Sequence, residues 1–172
     1  MISVRRQRYL SMCRFRVSGL LIVSLATCGV LGAHIGNQVP YPEGYRDWTH
    51  VKSMVIQTGH PLFEAVGGMH HIYANPAAAD ALRASKPFPD GAVFVFDLLI
   101  ANTEKNAIAE GPRKVLGVMH RDTARFKDTG GWGFEGFKGD SWDRVVKDPA
   151  KECFACHKAD QPQDFVFSTW RK

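Results

Sequence analysis

The clearest pattern in the chain is a central series of segments whose apolar residues suit β-strands. Ala92–Ile100 is β-branched and aromatic almost throughout, and it follows the turn-forming Pro-Phe-Pro-Asp-Gly sequence of residues 87–91. Arg113–His120 and Trp132–Phe137 alternate with a period of two residues, which is typical of strands with two different faces. We therefore predict three strands here, with a polar loop over residues 101–112 between the first two.

Shorter signals outside these strands predict helices. Asn75 followed by Pro76 suits the start of a helix over Ala77–Ser85, because Asn caps helix N-termini and Pro fits the first turn. The spacing of apolar residues also predicts a helix over Trp48–Gln57. The remaining predicted elements are a short strand at 71–74 and a helical turn at 141–146. The predicted fold class is α+β, a mainly antiparallel β-sheet with a few short helices.

The first 33 residues have the composition of an export signal. Residues 1–16 contain five arginines and no acidic residue, and the stretch from Val17 to Ala33 is uncharged and apolar. We predict export to the periplasm with cleavage after Ala33, which leaves residues 34–172 as the folded domain. The alternative is that residues 17–33 remain as a membrane anchor, because this stretch is nearly long enough to span a bilayer.

Removing this leader changes the charge and the cysteine content of the protein. The leader holds five of the 22 Lys and Arg residues and none of the 17 Asp and Glu residues, so the remaining chain has a formal net charge of zero. The basic whole-chain pI therefore gives no reason to expect nucleic acid as a partner. Cys13 and Cys28 are lost with the leader, and only Cys153 and Cys156 remain.

These two cysteines belong to a sequence with a specific chemical meaning. Cys153-Phe154-Ala155-Cys156-His157 matches the C-x-x-C-H attachment sequence of c-type haem. The spacing lets both sulfurs reach the vinyl groups along one porphyrin edge and directs the imidazole of His157 towards the iron. The predicted cofactor is therefore one covalent haem c, with His157 as the metal ligand. The alternatives are a thioredoxin-like redox pair, half of a zinc site and a lone disulfide.

Several other short sequences occur in a fixed order along the chain. Tyr73-Ala74-Asn75-Pro76 is followed by Phe88–Val93 and then by Thr129–Phe134, and the C-x-x-C-H sequence is followed by Asp164–Phe167. In this order and spacing, over residues 48–167, the chain resembles the cytochrome P-460 family. The resemblance implies a mostly antiparallel sheet, often a homodimer, and a five-coordinate haem with an open distal side.

The strand after the Pro-Asp-Gly turn distinguishes two kinds of protein in that family. Members that oxidise hydroxylamine carry a lysine cross-linked to the porphyrin, which the resemblance places around position 96. The beta-type cytochromes c′ lack this lysine and bind nitric oxide in a pocket capped by aromatic side chains. Here the strand reads Phe94-Val95-Phe96-Asp97, so the chain is closer to the lysine-free beta-type cytochromes c′.

The same resemblance nominates residues for the distal side of the haem. Phe94 and Phe96 share one face of their strand, because strand side chains alternate. They are either a distal wall that excludes water or ordinary core aromatics. His70 lies near the position of a distal arginine in the family and is a further candidate for lining the haem. His71 and His120 are also candidates for an iron ligand or an acid–base group.

Three functions remain open on this evidence. The first is an exported haem protein that binds or processes small nitrogen oxides such as nitric oxide. The second is a haem oxidoreductase that acts on hydroxylamine, and the third is an electron-transfer cytochrome. The expected partners are a small gaseous or nitrogenous ligand, a redox protein for electron exchange, and a second copy of the chain, which the resemblance alone implies.

Overall fold

The computed structural model describes residues 38–172, which form one five-stranded antiparallel sheet with short helical segments. The strands pair in chain order, so each strand neighbours the next. They are β1 (Thr49–Ile56), β2 (Gly68–Ala74), β3 (Val93–Glu104), β4 (Ala107–Arg121) and β5 (Trp132–Lys138). This architecture confirms the predicted α+β, mainly antiparallel fold class. The export segment predicted for residues 1–33 lies outside the described residues.

The helical segments are short. Helix α1 covers Phe63–Val66, and helix α2 covers Pro76–Ala84. Asn75 is the N-cap of α2, because its side chain accepts a hydrogen bond from the Ala78 amide at 3.0 Å. The C-terminal segment comprises a π-helix over Ala150–Phe154, helix α3 over Ala155–His157 and a 3₁₀ stretch over Lys158–Gln163. Single 3₁₀ turns cover Tyr45–Asp47 and Lys127–Thr129. Within residues 38–172, no helix has the length and apolar character needed to cross a bilayer.

The helix predicted over Trp48–Gln57 is wrong, because this segment forms the edge strand β1. Its backbone pairs with β2, so that Met54 lies opposite His70 and Val55 lies opposite Met69. The segment contains several β-branched residues, which favour a pleated, half-buried surface. Pairing with β2 therefore outweighs the weak helical spacing of its apolar residues.

The polar loop predicted over residues 101–112 is also wrong. Strands β3 and β4 continue to pair as far as Glu104 opposite Ala107 and form a long hairpin. Lys105 and Asn106 connect them with positive φ angles of 49° and 64°, as a tight two-residue hairpin turn requires. The residues are polar because both sides of this hairpin are exposed, and polarity alone did not distinguish an exposed strand from a loop.

The helical turn predicted over residues 141–146 is extended instead. Arg144 forms an isolated β-bridge with Phe137, and the Val145 amide donates a hydrogen bond to the Gly136 carbonyl at 2.9 Å. A helix of six residues gains few internal hydrogen bonds. Lying along the edge of β5 satisfies these backbone groups better.

One face of the sheet, here called the front face, supports the C-terminal segment. Ala74, Phe94, Met119 and Phe134 form a cross-strand row on this face. Helix α2 and Phe154 of the C-terminal segment belong to the same buried apolar cluster. The front face is therefore the side of the sheet on which the cysteine-containing sequence is held.

The opposite side, here called the back face, is covered by the chain that precedes β1. Val39 and Tyr45 from this chain pack against Val95, Leu116 and Val118 of the central strands. Successive residues of each strand alternate between the two faces. Neighbouring residues in the sequence can therefore have unrelated surroundings.

A buried ionic network fixes the back face. Asp97 has no exposed surface, and its carboxylate accepts hydrogen bonds from the Tyr45 hydroxyl at 2.6 Å and from Arg113 Nε at 2.7 Å. Arg113 Nη2 also donates to the Tyr45 hydroxyl oxygen at 2.6 Å. Burial, with the adjacent Asp97 carboxylate, raises the pKa of Tyr45 to about 12. The network links residues 39–46 to strands β3 and β4.

We expect Asp97→Ala to lower the free energy of unfolding by about 3 kcal/mol, because it removes the buried carboxylate from Arg113 and leaves that guanidinium with the exposed Asp140 as its ion-pair partner. Urea denaturation followed by circular dichroism measures this loss. The matched control is Asp80→Ala, since Asp80 pairs with Arg83 on an exposed helix surface and its side chain is 77% exposed. A loss for Asp97→Ala as small as that for Asp80→Ala would contradict the structural role of the network.

Candidate functional site

The cysteine-containing sequence is held in place by Phe154, which lies between its two cysteines. Phe154 is buried, and its ring centroid lies 6.1 Å from that of Phe134 on the front face and 5.2 Å from that of Phe165. Cys153 lies in the last turn of the π-helical stretch, and Cys156 and His157 lie in α3. One apolar anchor thus positions three chemically active side chains on the front face.

Both cysteines are free thiols, but they have different surroundings. Cys153 is partly buried, and this burial, together with the nearby negative charge of Glu152, raises the pKa of its thiol to about 11. Cys156 is exposed. The two thiols are therefore available for covalent attachment, and no disulfide joins them.

His157 is held as a neutral imidazole with one nitrogen committed. Its Nδ1 lies 2.8 Å from the Phe165 carbonyl oxygen, which can only accept, so Nδ1 carries the proton and donates it. Burial lowers the pKa of His157, so the ring is neutral near pH 7. The rings of Phe134 and Phe167 flank it with centroids 5.0 Å and 4.6 Å away. The lone pair of Nε2 is therefore left for a metal ion, which is the usual state of a metal-binding histidine.

The front face carries an apolar surface one row along the sheet from Phe134. Phe96, Gly117 and Gly136 are cross-strand neighbours in this row. A β-carbon at Gly117 would lie 3.3 Å from Phe96 Cδ1, and one at Gly136 would lie 2.9 Å from Val145 Cγ2. Phe96 and Val145 therefore lie over the two glycines, and we call these four residues the apolar floor.

The structure places the two predicted distal phenylalanines in different surroundings. Phe94 is buried, and its ring packs against Phe88 and Trp132 with centroids 5.2 Å and 6.1 Å away. Phe96 is only partly buried and makes an edge contact with His70 at 4.6 Å. Phe94 is thus a core residue, whereas Phe96 is on the accessible part of the same face.

His70 shares the front face with Phe96 and is 1% exposed. Its Nε2 lies 2.6 Å from the Val66 carbonyl oxygen and donates to it, while its buried Nδ1 has no hydrogen-bond partner among the described residues. Burial, with a smaller contribution from the positive charge of Lys114, lowers the pKa of His70. His70 is therefore a neutral ring with one unused acceptor nitrogen.

The other two candidate histidines lie on the back face, away from His157. His71 Nδ1 lies 2.6 Å from the Ser53 hydroxyl, and its Nε2 lies 2.8 Å from a Glu110 carboxylate oxygen. His120 packs near Phe126 with ring centroids 6.5 Å apart. The alternation of side chains along β2 and β4 therefore separates these two from the site that contains the cysteines.

Sequence reasoning missed two parts of this site. The Phe165 carbonyl is a backbone group, so no pattern of residue types could identify it. Gly117 and Gly136 were visible as glycines in strands, which signals a close approach of another group. Their pairing opposite each other needed the strand register.

The residues present fit a covalently attached haem. Two free thiols, three positions apart, adjoin a neutral imidazole whose Nε2 is available. Among residues 38–172, no three His, Cys, Asp or Glu side chains are grouped so that they could hold a metal ion by themselves. Cys153, Cys156 and His157 are therefore the residues that would hold the haem.

Comparison with known proteins agrees with this chemistry. The model of the family described as Cytochrome P460 matches residues 42–168, which is more than half of the chain. No curated protein matches the sequence. The family match confirms the resemblance found in the sequence and implies a haem cofactor with its iron.

We expect the two thiols of the haem-free protein to differ in reactivity. At pH 8 the partly buried Cys153 is almost entirely protonated, and only a thiolate is nucleophilic, so the exposed Cys156 should react with iodoacetamide at least ~10-fold faster. The measurement uses residues 34–172 produced alone, with mass spectrometry of the alkylated peptides. Cys156→Ser should leave only the slow reaction. Equal rates at both positions would contradict the burial of Cys153.

Proposed function

The chain belongs to the cytochrome P460 family, and on that premise we propose that it is an exported c-type cytochrome that binds small nitrogen oxides such as nitric oxide. Its single haem is covalently bound to Cys153 and Cys156, and His157 is the protein ligand of the iron. The observation that carries this proposal is the state of His157, whose Nδ1 proton is committed to the Phe165 carbonyl and whose Nε2 is free.

The chain's own residues prepare the proximal side. When bound, the haem supplies an iron at which a small ligand binds and through which electrons are exchanged. The Phe165 carbonyl keeps the proton of His157 on Nδ1 and fixes the orientation of the ring. Phe134 and Phe167 hold the ring from its sides and limit the access of water to it.

The apolar floor supports a small neutral ligand rather than a charged one. Phe96, Gly117, Gly136 and Val145 contribute no charged or hydrogen-bonding side chain to the front face. An apolar surface gives no compensation for the lost hydration of an ion. Nitric oxide is neutral and needs no hydrogen-bond donor, so this lining suits it.

Oxidation of hydroxylamine is the second candidate function, and it would make the protein a haem oxidoreductase. Strand β3 contains no lysine that could cross-link to the porphyrin. Lys114 on β4 instead donates from Nζ to the Gly67 carbonyl at 2.7 Å. These contacts favour ligand binding over the cross-linked type. Electron transfer through a six-coordinate haem is the third candidate.

We expect the periplasmically produced protein to contain one haem that survives acid denaturation. Intact mass should equal residues 34–172 plus one haem, which also tests cleavage after Ala33. The reduced protein should show a five-coordinate, high-spin spectrum that changes when nitric oxide is added. A colourless protein would rule out the proposal. A red-shifted ferrous Soret band with a lower mass would favour the cross-linked hydroxylamine type, and a low-spin spectrum would favour electron transfer.

We expect Phe94→Ala and Phe96→Ala to have different consequences. Phe94 is a core residue, so its truncation should lower the free energy of unfolding by about 3–5 kcal/mol. Phe96→Ala should cost less stability and should change the rates of nitric oxide binding and release, measured by stopped-flow absorption. The reverse assignment, with ligand rates altered by Phe94→Ala alone, would contradict a distal role for Phe96.

A further inference from the structure

The carbonyl that orients His157 belongs to an unusual turn. Asp164 and Phe165 both have left-handed backbone conformations, with φ angles of 54° and 67°. Residues with a β-carbon rarely adopt this region, and two in succession are rarer still. Such a turn persists only where its surroundings hold it. The Phe165 carbonyl therefore depends on contacts outside the turn for its position.

Backbone hydrogen bonds close the turn but do not attach it to the sheet. The Asp164 amide donates to the Gln161 carbonyl at 3.0 Å, and the Phe165 amide donates to the Asp160 carbonyl at 2.9 Å. Both acceptors lie in the same 3₁₀ stretch that precedes the turn. These bonds shape the turn locally and leave its position relative to the strands undetermined.

The Asp164 carboxylate supplies that attachment. One of its oxygens lies 3.2 Å from Arg121 Nη1 at the end of β4, and the other accepts a hydrogen bond from the Phe88 amide at 3.2 Å. The Asp164 and Arg121 side chains are only 22% and 14% exposed, so the ion pair is largely shielded from solvent. One side chain thus joins the turn to the end of β4 and to the loop that precedes β3.

Arg121 is itself rigidly placed. Its Nη1 donates to the Gly130 carbonyl at 2.7 Å, and its guanidinium lies 5.4 Å from the centroid of the buried Trp132 ring. The Phe165 ring fills the space beside Gly130, where a β-carbon would lie 2.5 Å from Phe165 Cε2. The turn is therefore fixed against β4 and the start of β5 by an ion pair and by close packing.

We propose that Asp164 is a positioning residue for the iron ligand: paired with Arg121 and the Phe88 amide, it holds the Asp164–Phe165 turn so that the Phe165 carbonyl accepts the Nδ1 proton of His157. This inference rests on the proposed function, in which His157 binds the haem iron. Asp164 does not touch His157 in this arrangement. It acts through the backbone of the next residue.

The direction of the effect follows from the hydrogen bond. A carbonyl that accepts strongly from Nδ1 raises the basicity of Nε2 and strengthens its bond to iron. A stronger donor stabilises the ferric state and lowers the reduction potential. Loosening the turn should therefore weaken the iron–histidine bond and raise the potential.

The test compares substitutions of Asp164 in the haem-loaded protein. Asp164→Ala removes the attachment and places an alanine in the left-handed region, whereas Asp164→Gly removes the attachment and relieves the backbone strain at position 164. Asp164→Asn keeps an acceptor for the Phe88 amide and tolerates the left-handed conformation. Arg121→Gln removes the ion pair from the other side, and Asp80→Ala is the control for loss of a surface carboxylate.

Two readouts report on the iron–histidine bond without measuring activity. They are the iron–histidine stretching band in the resonance Raman spectrum of the reduced protein, and the midpoint reduction potential. We expect Asp164→Ala and Asp164→Gly to shift the band to lower frequency and to raise the potential. Arg121→Gln should shift both in the same directions, while Asp164→Asn should shift them less and Asp80→Ala should leave both unchanged.

The outcomes separate this inference from the function on which it rests. Wild-type protein without covalent haem would overturn both. Haem-loaded Asp164→Gly or Arg121→Gln with unchanged band and potential would overturn the inference alone, as would an effect of Asp164→Ala that Asp164→Gly does not share. If Asp164→Ala does not fold, Asp164→Gly and Arg121→Gln decide the result.

Discussion

Packing of Phe154 on the front face of the sheet is the contact on which the rest of the site depends. Phe154 lies within the C-x-x-C-H sequence itself, so burying its ring against Phe134 brings both thiols and the imidazole to the same surface. The energy comes from apolar burial, which has no direction. The orientation of the His157 ring therefore needs a directional contact as well, which is the hydrogen bond to the Phe165 carbonyl.

The two faces of the sheet differ in the chemistry of their side chains. The back face holds charged residues in a closed network around Asp97, where every partner is supplied by the chain and the geometry is fixed. The front face presents phenylalanines and glycines. Its accessible part includes the apolar floor, which contains no charged side chain. The sheet therefore separates the ionic groups of the network from the front face, which carries the two cysteines and His157.

Much of this could be read from the sequence because the relevant signals are local. The spacing of Cys153, Cys156 and His157 is set within one helical turn, so it indicates haem attachment without knowledge of the fold. Asn75 followed by Pro76 identified the start of α2 for the same reason, since an N-cap acts within a few residues. The period-two pattern identified the central strands, whose buried side chains must alternate.

The sequence by itself thus determined which residues are candidates for haem attachment and that the fold contains an antiparallel sheet. Only the tertiary structure decided which residues share a face. His70 and Phe96 lie on the front face, whereas His71 and His120 lie on the back face. Phe94 is on the front face too, but its ring is packed in the core. It also turned a predicted helix into β1, because pairing with β2 outweighed local propensity. Strand register and backbone carbonyls arise from contacts between distant segments, and no local pattern of residue types encodes them.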